Sequence, residues 1–395
     1  MIQRSIEKKL REDITKYPIV TLTGPRQSGK TTLLKNVLPG YDYVSLEDPD
    51  ERDYAFEDPR GFLSRFKKKT ILDEVQHVPD LFSYIQTIVD NRDVPGQFIL
   101  SGSQNFLLLS GISQSLAGRT SILHLLPFTK RELANKKVLT IKNLYSDSIQ
   151  RSSKDLFQMM FTGFYPRIHD KKLPPQEWLA DYFQTYIQRD VRQIINVTDI
   201  GLFGRFVRLC AGRIGQLLNL SSLAADCGIS HKTAQRWISL LESSFVIYKI
   251  LPHHKNYSKR MIKSPKLYFY DSGLVCYLLR IKSPDNLRIS PYRGHIFESF
   301  CISEFIKSAY HQKITPDIFF WRDSSGHEID MIIEQGEKLI PCEIKSGETF
   351  TKSFVKGLKY WLKLSGTSNK DGFLLYGGSK KMIFKNINVF PWSML

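Results

Sequence analysis

YPIVTLTGPRQSGKTTLLKNVL, Tyr17 to Leu38, decides the fold. Its first seven residues are apolar and β-branched and predict a short buried strand. GPRQSGKT, Gly24 to Thr31, fits G-x-x-x-x-G-K-[ST], and KTTLLKNVL, Lys30 to Leu38, predicts a helix stopped by Pro39-Gly40. A strand, a glycine-rich loop and a helix in that order aim backbone N–H groups and the positive helix end at a polyphosphate. Gly24, Pro25, Arg26, Gln27, Ser28 and Gly29 would form the cradle, with Thr32 behind it. Lys30 would reach the β- and γ-phosphates, and the Thr31 hydroxyl would sit on Mg²⁺. The stretch therefore predicts binding of a nucleoside triphosphate.

Downstream, FKKKTILDEVQ (Phe66 to Gln76) ends a β-like run in Asp73-Glu74. Asp73 would hold Mg²⁺ through water, and Glu74 would polarise the water that attacks the γ-phosphate. A third strand, QFILSGS, ends at Ser103, a candidate γ-phosphate sensor alongside Gln104. From about Ile19 to Phe128 strands and helices alternate, as in a parallel sheet covered by helices.

At 395 residues the chain exceeds one ordinary core, and 42% hydrophobic with 12% aromatic residues can fill several. Lys and Arg total 56 against 39 acids, a formal net charge of +17, which favours a polyanionic partner. Cys210, Cys227, Cys276, Cys301 and Cys342 stand apart with no CxxC pair, which disfavours a disulfide framework or zinc ribbon and suits a reducing cytoplasm. The opening residues are charged and lack a signal-peptide core, and no apolar run is long enough to span a bilayer.

The polar stretch from about Asn135 to Asp155 reads as a connector, with helices resuming at Leu156 and Pro174. SSLAADCGISHKTAQRWISLLESS, Ser221 to Ser244, predicts a helix-turn-helix with Ala224, Ile229, Ala234, Ile238 and Leu241 inward. Lys232, Gln235 and Arg236 face outward, able to touch phosphates or base edges. A predicted β-hairpin with a basic loop containing Lys259 follows as the wing. The same architecture also serves protein–protein contacts.

In the last third, a helix over Gly294 to Lys307 carries Glu298, a strand hairpin carries Asp330, and KLIPCEIKSG carries Glu343 and Lys345. Strand pairing would set Asp330 beside Glu343, and period-two alternation sets Lys345 on the Glu343 face. Two carboxylates and a lysine at a sheet edge can hold a divalent metal for phosphodiester hydrolysis, with Glu298 in support. A structural charge network in which Lys345 neutralises Glu343 is the competing account.

Taken together, GPRQSGKTTL, LDEVQHVPDLF, LSGSQNFLL, SLAGRTSILHLLPFTKREL, YIQRDV, SPKLYFYDSGL, FFWRDSSGHEIDMIIE and EIKSG resemble a family of prokaryotic AAA-type P-loop ATPases. These carry a C-terminal domain of unknown function that combines a winged helix with a PD-(D/E)xK nuclease-like fold. The resemblance implies an α/β chain in four parts: an ATPase core over 1–135, a connector and helical lid over 136–204, a winged helix over 205–283 and a nuclease-like domain over 284–395. It implies ATP and Mg²⁺ as cofactors, Arg119 as a finger into a neighbouring subunit, Arg189 as a lid sensor, and Glu298, Asp330, Glu343 and Lys345 as the nuclease-like motif. The expected function is a cytoplasmic, multimeric, DNA-dependent ATPase, with a hexamer among the expected forms. The alternatives are an ATP-regulated switch that recruits a protein partner and an ATP-gated metal-dependent nuclease.

Overall fold

A computed structural model describes residues 2–92, 94–103, 115–148, 155–186, 200–253, 264–368 and 370–395. Gln104, Arg189 and Lys259 lie outside these residues.

The first sheet has five parallel strands in the order β2-β3-β4-β1-β5, where β1 is Ile19–Thr23, β2 Asp42–Ser45, β3 Thr70–Asp73, β4 Phe98–Gly102 and β5 Thr120–His124. Every residue of β1, β3 and β4 is buried. That is the expected state of central parallel strands covered on both faces, and it explains why they lack a polar-apolar alternation. One face packs on Leu33, Leu34 and Val37 of the helix Lys30–Val37, the other on Phe82 and Ile85 of the helix Leu81–Arg92. The strand order sets β3, β4 and β1 side by side, so the loops after all three open at one edge. In open α/β sheets that edge, beyond the C-terminal strand ends, is where ligands bind.

A second, mixed sheet has eight strands in the order β12-β13-β11-β10-β9-β8-β6-β7. Its members are β6 Ile247–Pro252, β7 Lys266–Phe269, β8 Ile318–Arg322, β9 Glu328–Gln335, β10 Lys338–Lys345, β11 Phe373–Tyr376, β12 Met382–Phe384 and β13 Ile387–Pro391. The 19-residue helix Arg293–His311 covers one face and the helix Lys356–Ser365 the other. The antiparallel pair β6/β7 follows the helices Ile200–Ala211, Leu220–Cys227 and His231–Ser243, and β6 also pairs with β8. One sheet thus joins strands from both sides of position 283/284, where the sequence reading divides the chain.

Two further features depart from a linear reading. The stretch expected to be a connector contains the helix Ile141–Ser146, capped by Thr140, and Leu144 is fully buried. Its polar composition hides one apolar stripe, and Tyr145 meets Phe390 edge-on, ring centroids 5.0 Å apart. One apolar core then runs from Leu126 to Leu395, so the helices after the first sheet pack with the C-terminal part of the chain. Among the described residues no helix is long and apolar enough to cross a membrane.

Candidate functional site

The loop between β1 and the helix Lys30–Val37 is held by close backbone approach. Gly24 lies at φ 155°, and a Cβ there would stand 2.0 Å from the Leu125 carbonyl oxygen, so no side chain fits. Gly29 enters the helix at φ 91°, a left-handed conformation that glycine adopts at little cost. Lys30 is 5% exposed, and its ammonium turns back on the loop, donating to the carbonyls of Gly24 at 2.9 Å and Pro25 at 3.1 Å. Arg26, Gln27, Thr31 and Thr32 line a cavity of about 430 Å³ at this edge, and Ser28 is buried beneath them.

Asp73, at the end of β3, meets the loop directly. The Thr31 hydroxyl donates to Asp73 Oδ2 at 2.6 Å, Tyr43 donates to the same oxygen at 2.8 Å, and Ser101 donates to Oδ1 at 2.5 Å. Hydroxyl donors on both oxygens leave the carboxylate charge uncancelled by any described ion pair, as a residue that receives a hard cation requires. Thr31 and Asp73 therefore fit Mg²⁺.

Glu74 stands one residue on at φ 55°, ψ 42°, a left-handed backbone that is costly for a glutamate and is found chiefly where function demands it. Ser103 donates to its carboxylate through both backbone N–H (3.2 Å) and hydroxyl (3.0 Å), and Gln76 donates at 2.5 Å. Burial pushes the carboxyl up. The charges of Lys30 and Arg26, with the Gln76 and Ser103 hydrogen bonds, outweigh this and hold it below its ordinary value, so it is a carboxylate at neutral pH. Ser103, expected as a γ-phosphate sensor, holds the Glu74 carboxylate.

Several site residues were not legible in the sequence. Arg4 is 6% exposed and donates to the Ser28 carbonyl at 2.7 Å, the Leu126 carbonyl at 2.6 Å and Glu132 at 3.1 Å, clamping the phosphate loop from below. Glu132 also accepts the Ser5 amide, and His311 of the long C-terminal helix stands 3.8 Å away. Burial raises the Glu132 carboxyl, but the Arg4 charge leads the effects that bring it down to about 2. Arg167 and Lys171 line the same cavity from the segment after the sheet, and Glu47 and His77 gather against Glu74 with ligand atoms within 4.8 Å. A lone arginine four residues from the start gives no local signal for such a role.

Away from the loop, Arg119 makes a two-point ion pair with Asp90 of its own chain, at 2.5 and 2.9 Å. Ser230 caps the helix His231–Ser243, which exposes Lys232, Gln235 and Arg236 while Ala234 and Ile238 are buried.

In the C-terminal sheet the ladder between β9 and β10 pairs Met331 with Cys342. Beyond it, Asp330 Oδ2 accepts the Ile344 amide at 2.7 Å. Lys345 bridges the two expected acids, 3.2 Å from Asp330 and 2.7 Å from Glu343. Burial, then the Asp330 charge, pushes the Glu343 carboxyl up. Glu298 lies beside Asp330, their carboxylate oxygens within 4.8 Å. It binds Lys266 at 3.1 Å and accepts the Tyr268 hydroxyl, and Glu328 gathers with it and Asp330.

Residues 16–134 match a family described as an AAA domain. Residues 153–285 and 293–395 match two domains of unknown function, DUF8612 and DUF4143. Uncharacterized proteins of Mycobacterium bovis and Mycobacterium tuberculosis are each 28% identical over 351 residues, covering 88% of this chain and 74% of theirs. The Walker-type ATPase of Pyrococcus abyssi is 14% identical at a TM-score of 0.45, over 71% of this chain and 96% of that one. On the family match and the parallel sheet, residues 16–134 form an AAA-type α/β domain built around a phosphate loop.

Proposed function

We propose that this chain hydrolyses ATP and couples the turnover to work on nucleic acid, as a multimeric cytoplasmic protein. The observation that carries the first half is the 2.6 Å contact between Thr31 and Asp73, beside a Glu74 carboxylate fixed by Ser103 and Gln76. Mg²⁺ bound by Thr31 and Asp73 would offset the negative charge of the triphosphate. Lys30, released from the loop carbonyls, would take the β- and γ-oxygens, and Glu74 would orient and polarise the attacking water. Ser103 keeps Glu74 aimed at that water.

The nucleic-acid half rests on the overall +17 charge and on the exposed row Lys232, Gln235 and Arg236. A switch without turnover would have no need of an acid held so closely at Glu74, and this favours a hydrolase. Five isolated, buried thiols suit the reducing cytoplasm.

ATPase rates with and without single-stranded, duplex and forked DNA test the reading. Lys30→Ala should lose ATP binding, Glu74→Gln should bind ATP without turning it over, and wild-type turnover should rise with one of the DNAs. Near-normal turnover in Glu74→Gln would overthrow the assignment of the base. Replacing Lys232, Arg236 and Lys259 with alanine should weaken DNA binding and flatten its salt dependence. Unchanged affinity there would point to a protein partner.

A further inference from the structure

The cleft beside the eight-stranded sheet is lined by the carboxylates of Glu298, Glu328 and Asp330. Oxygens of Glu298, Glu328 and Asp330 lie within 4.8 Å of one another, near enough to share one divalent ion. That is the arrangement a metal-dependent phosphodiesterase needs. Yet a side chain that the motif does not contain is already there. Lys266, the first residue of β7, is 3% exposed, and its Nζ lies 3.1 Å from Glu298 Oε1 while also donating to Glu328.

Everything around Lys266 holds it in place. Burial disfavours its ammonium form, but the charges of Glu298, Glu328 and Asp330 outweigh burial and keep it protonated far above neutral pH. The Phe320 ring lies 5.5 Å from the ammonium. Further donors crowd the same acids: Tyr268 donates to the Glu298 oxygen that also meets Lys266, Arg322 reaches Glu328 at 3.3 Å, and one Asp330 oxygen takes both the Ile344 amide and Lys345. Mg²⁺ or Mn²⁺ demands several oxygen ligands in near-octahedral array. Here it would meet a buried ammonium among those same oxygens.

We propose that Lys266 is the resident cation of this cleft, so that the nuclease-like centre binds no divalent metal and leaves phosphodiesters intact. Glu298, Glu328 and Asp330 with Lys266 and Lys345 form a charge network that ties the helix Arg293–His311 to β7, β9 and β10. The inference is independent of the ATPase reading.

Mn²⁺ titration of the full chain without nucleotide, by calorimetry and electron paramagnetic resonance, tests it. Wild type and Asp330→Asn should give the same Mn²⁺ isotherm. Lys266→Met keeps the length of the side chain and removes the charge, so it should gain one Mn²⁺ site at least tenfold tighter than any in wild type. Added Mn²⁺ should raise its melting temperature, and Lys266→Met with Asp330→Asn should lose both effects. A wild-type Mn²⁺ site that Asp330→Asn abolishes, or plasmid nicking with Mn²⁺ that Asp330→Asn abolishes, would overturn the proposal. A folded Lys266→Met with no added Mn²⁺ site would overturn it too. If that variant does not fold, Lys266→Gln takes its place, and the wild-type comparison decides the matter without either.

Discussion

The phosphate-loop edge and the C-terminal cleft are made of the same residue types, yet they are wired in opposite ways. At the loop, the lysine is parked on backbone carbonyls and the strand-end acid is held by hydroxyls, so positive and negative groups stand ready but apart. In the cleft, Lys266 and Lys345 lie directly on the acids. Acids that are hydrogen-bonded but not neutralised can attract a cation. Acids already bridged by ammonium groups have their charge satisfied, and removing a buried partner such as Lys266 exposes the desolvation cost. The lesson is that an acid–lysine motif indicates chemistry only when its charges are left unspent.

The contrast is open to attack at several points. The largest effect concerns completeness, since the cleft is self-contained whereas the loop site is proposed to borrow Arg119 from a neighbouring subunit. Arg119→Ala should lower ATP turnover by roughly 10³–10⁵, and mixing it with Lys30→Ala should restore some activity. If mixing restores nothing and light scattering finds an active monomer, Arg119 only anchors Asp90. Next in size, Glu74→Gln should reduce turnover by about 10²–10⁴, while Asp330→Asn should leave steady-state ATPase rates unchanged.

Stability should show the reverse order. Lys266→Ala strands buried carboxylates and should cost about 3–5 kcal/mol in denaturant unfolding. Lys30→Ala loses two hydrogen bonds to carbonyls, each worth about 0.5–1.5 kcal/mol, and the positive charge that acts on Glu74. Equal costs would erase the distinction between the two lysines.

A pH effect separates two acids on one helix. Burial raises both Glu298 and Glu304, but the Lys266 charge brings Glu298 down to about 2, whereas Glu304, facing Lys307 and Lys130, stays up at about 7. A carboxyl raised on folding binds its proton more tightly in the native state, so Glu304 makes stability fall as pH climbs from the ordinary carboxyl range to 7. Glu304→Gln should remove that fall, at most about 3 kcal/mol, as measured by melting temperature across pH 4.5 to 8. An unchanged pH profile would mean that Lys307 and Lys130 keep Glu304 ionised.

Local patterns told most about the first sheet. Buried parallel strands are short and rich in apolar and β-branched residues, and Ile19–Thr23, Thr70–Asp73 and Phe98–Gly102 all announce themselves that way. The outward row on the helix His231–Ser243 was equally legible, because helical periodicity sorts exposed from buried residues within four positions. The helix Ile141–Ser146 was not, since an apolar stripe of only Ile141, Leu144 and Tyr145 in a polar stretch is too short to stand out.

By itself the sequence determined the phosphate loop and its two acids, because eight contiguous residues and a strand end dictate their own backbone path. Only the tertiary structure decided that Arg4 clamps this loop through Ser28 and Glu132, or that Lys266 enters the acidic cleft. Arg4 and Glu132 are 128 positions apart, and Lys266 and Glu298 are 32 apart. Which charge meets which over such distances is set by sheet order and helix packing, and no local pattern of residues encodes either.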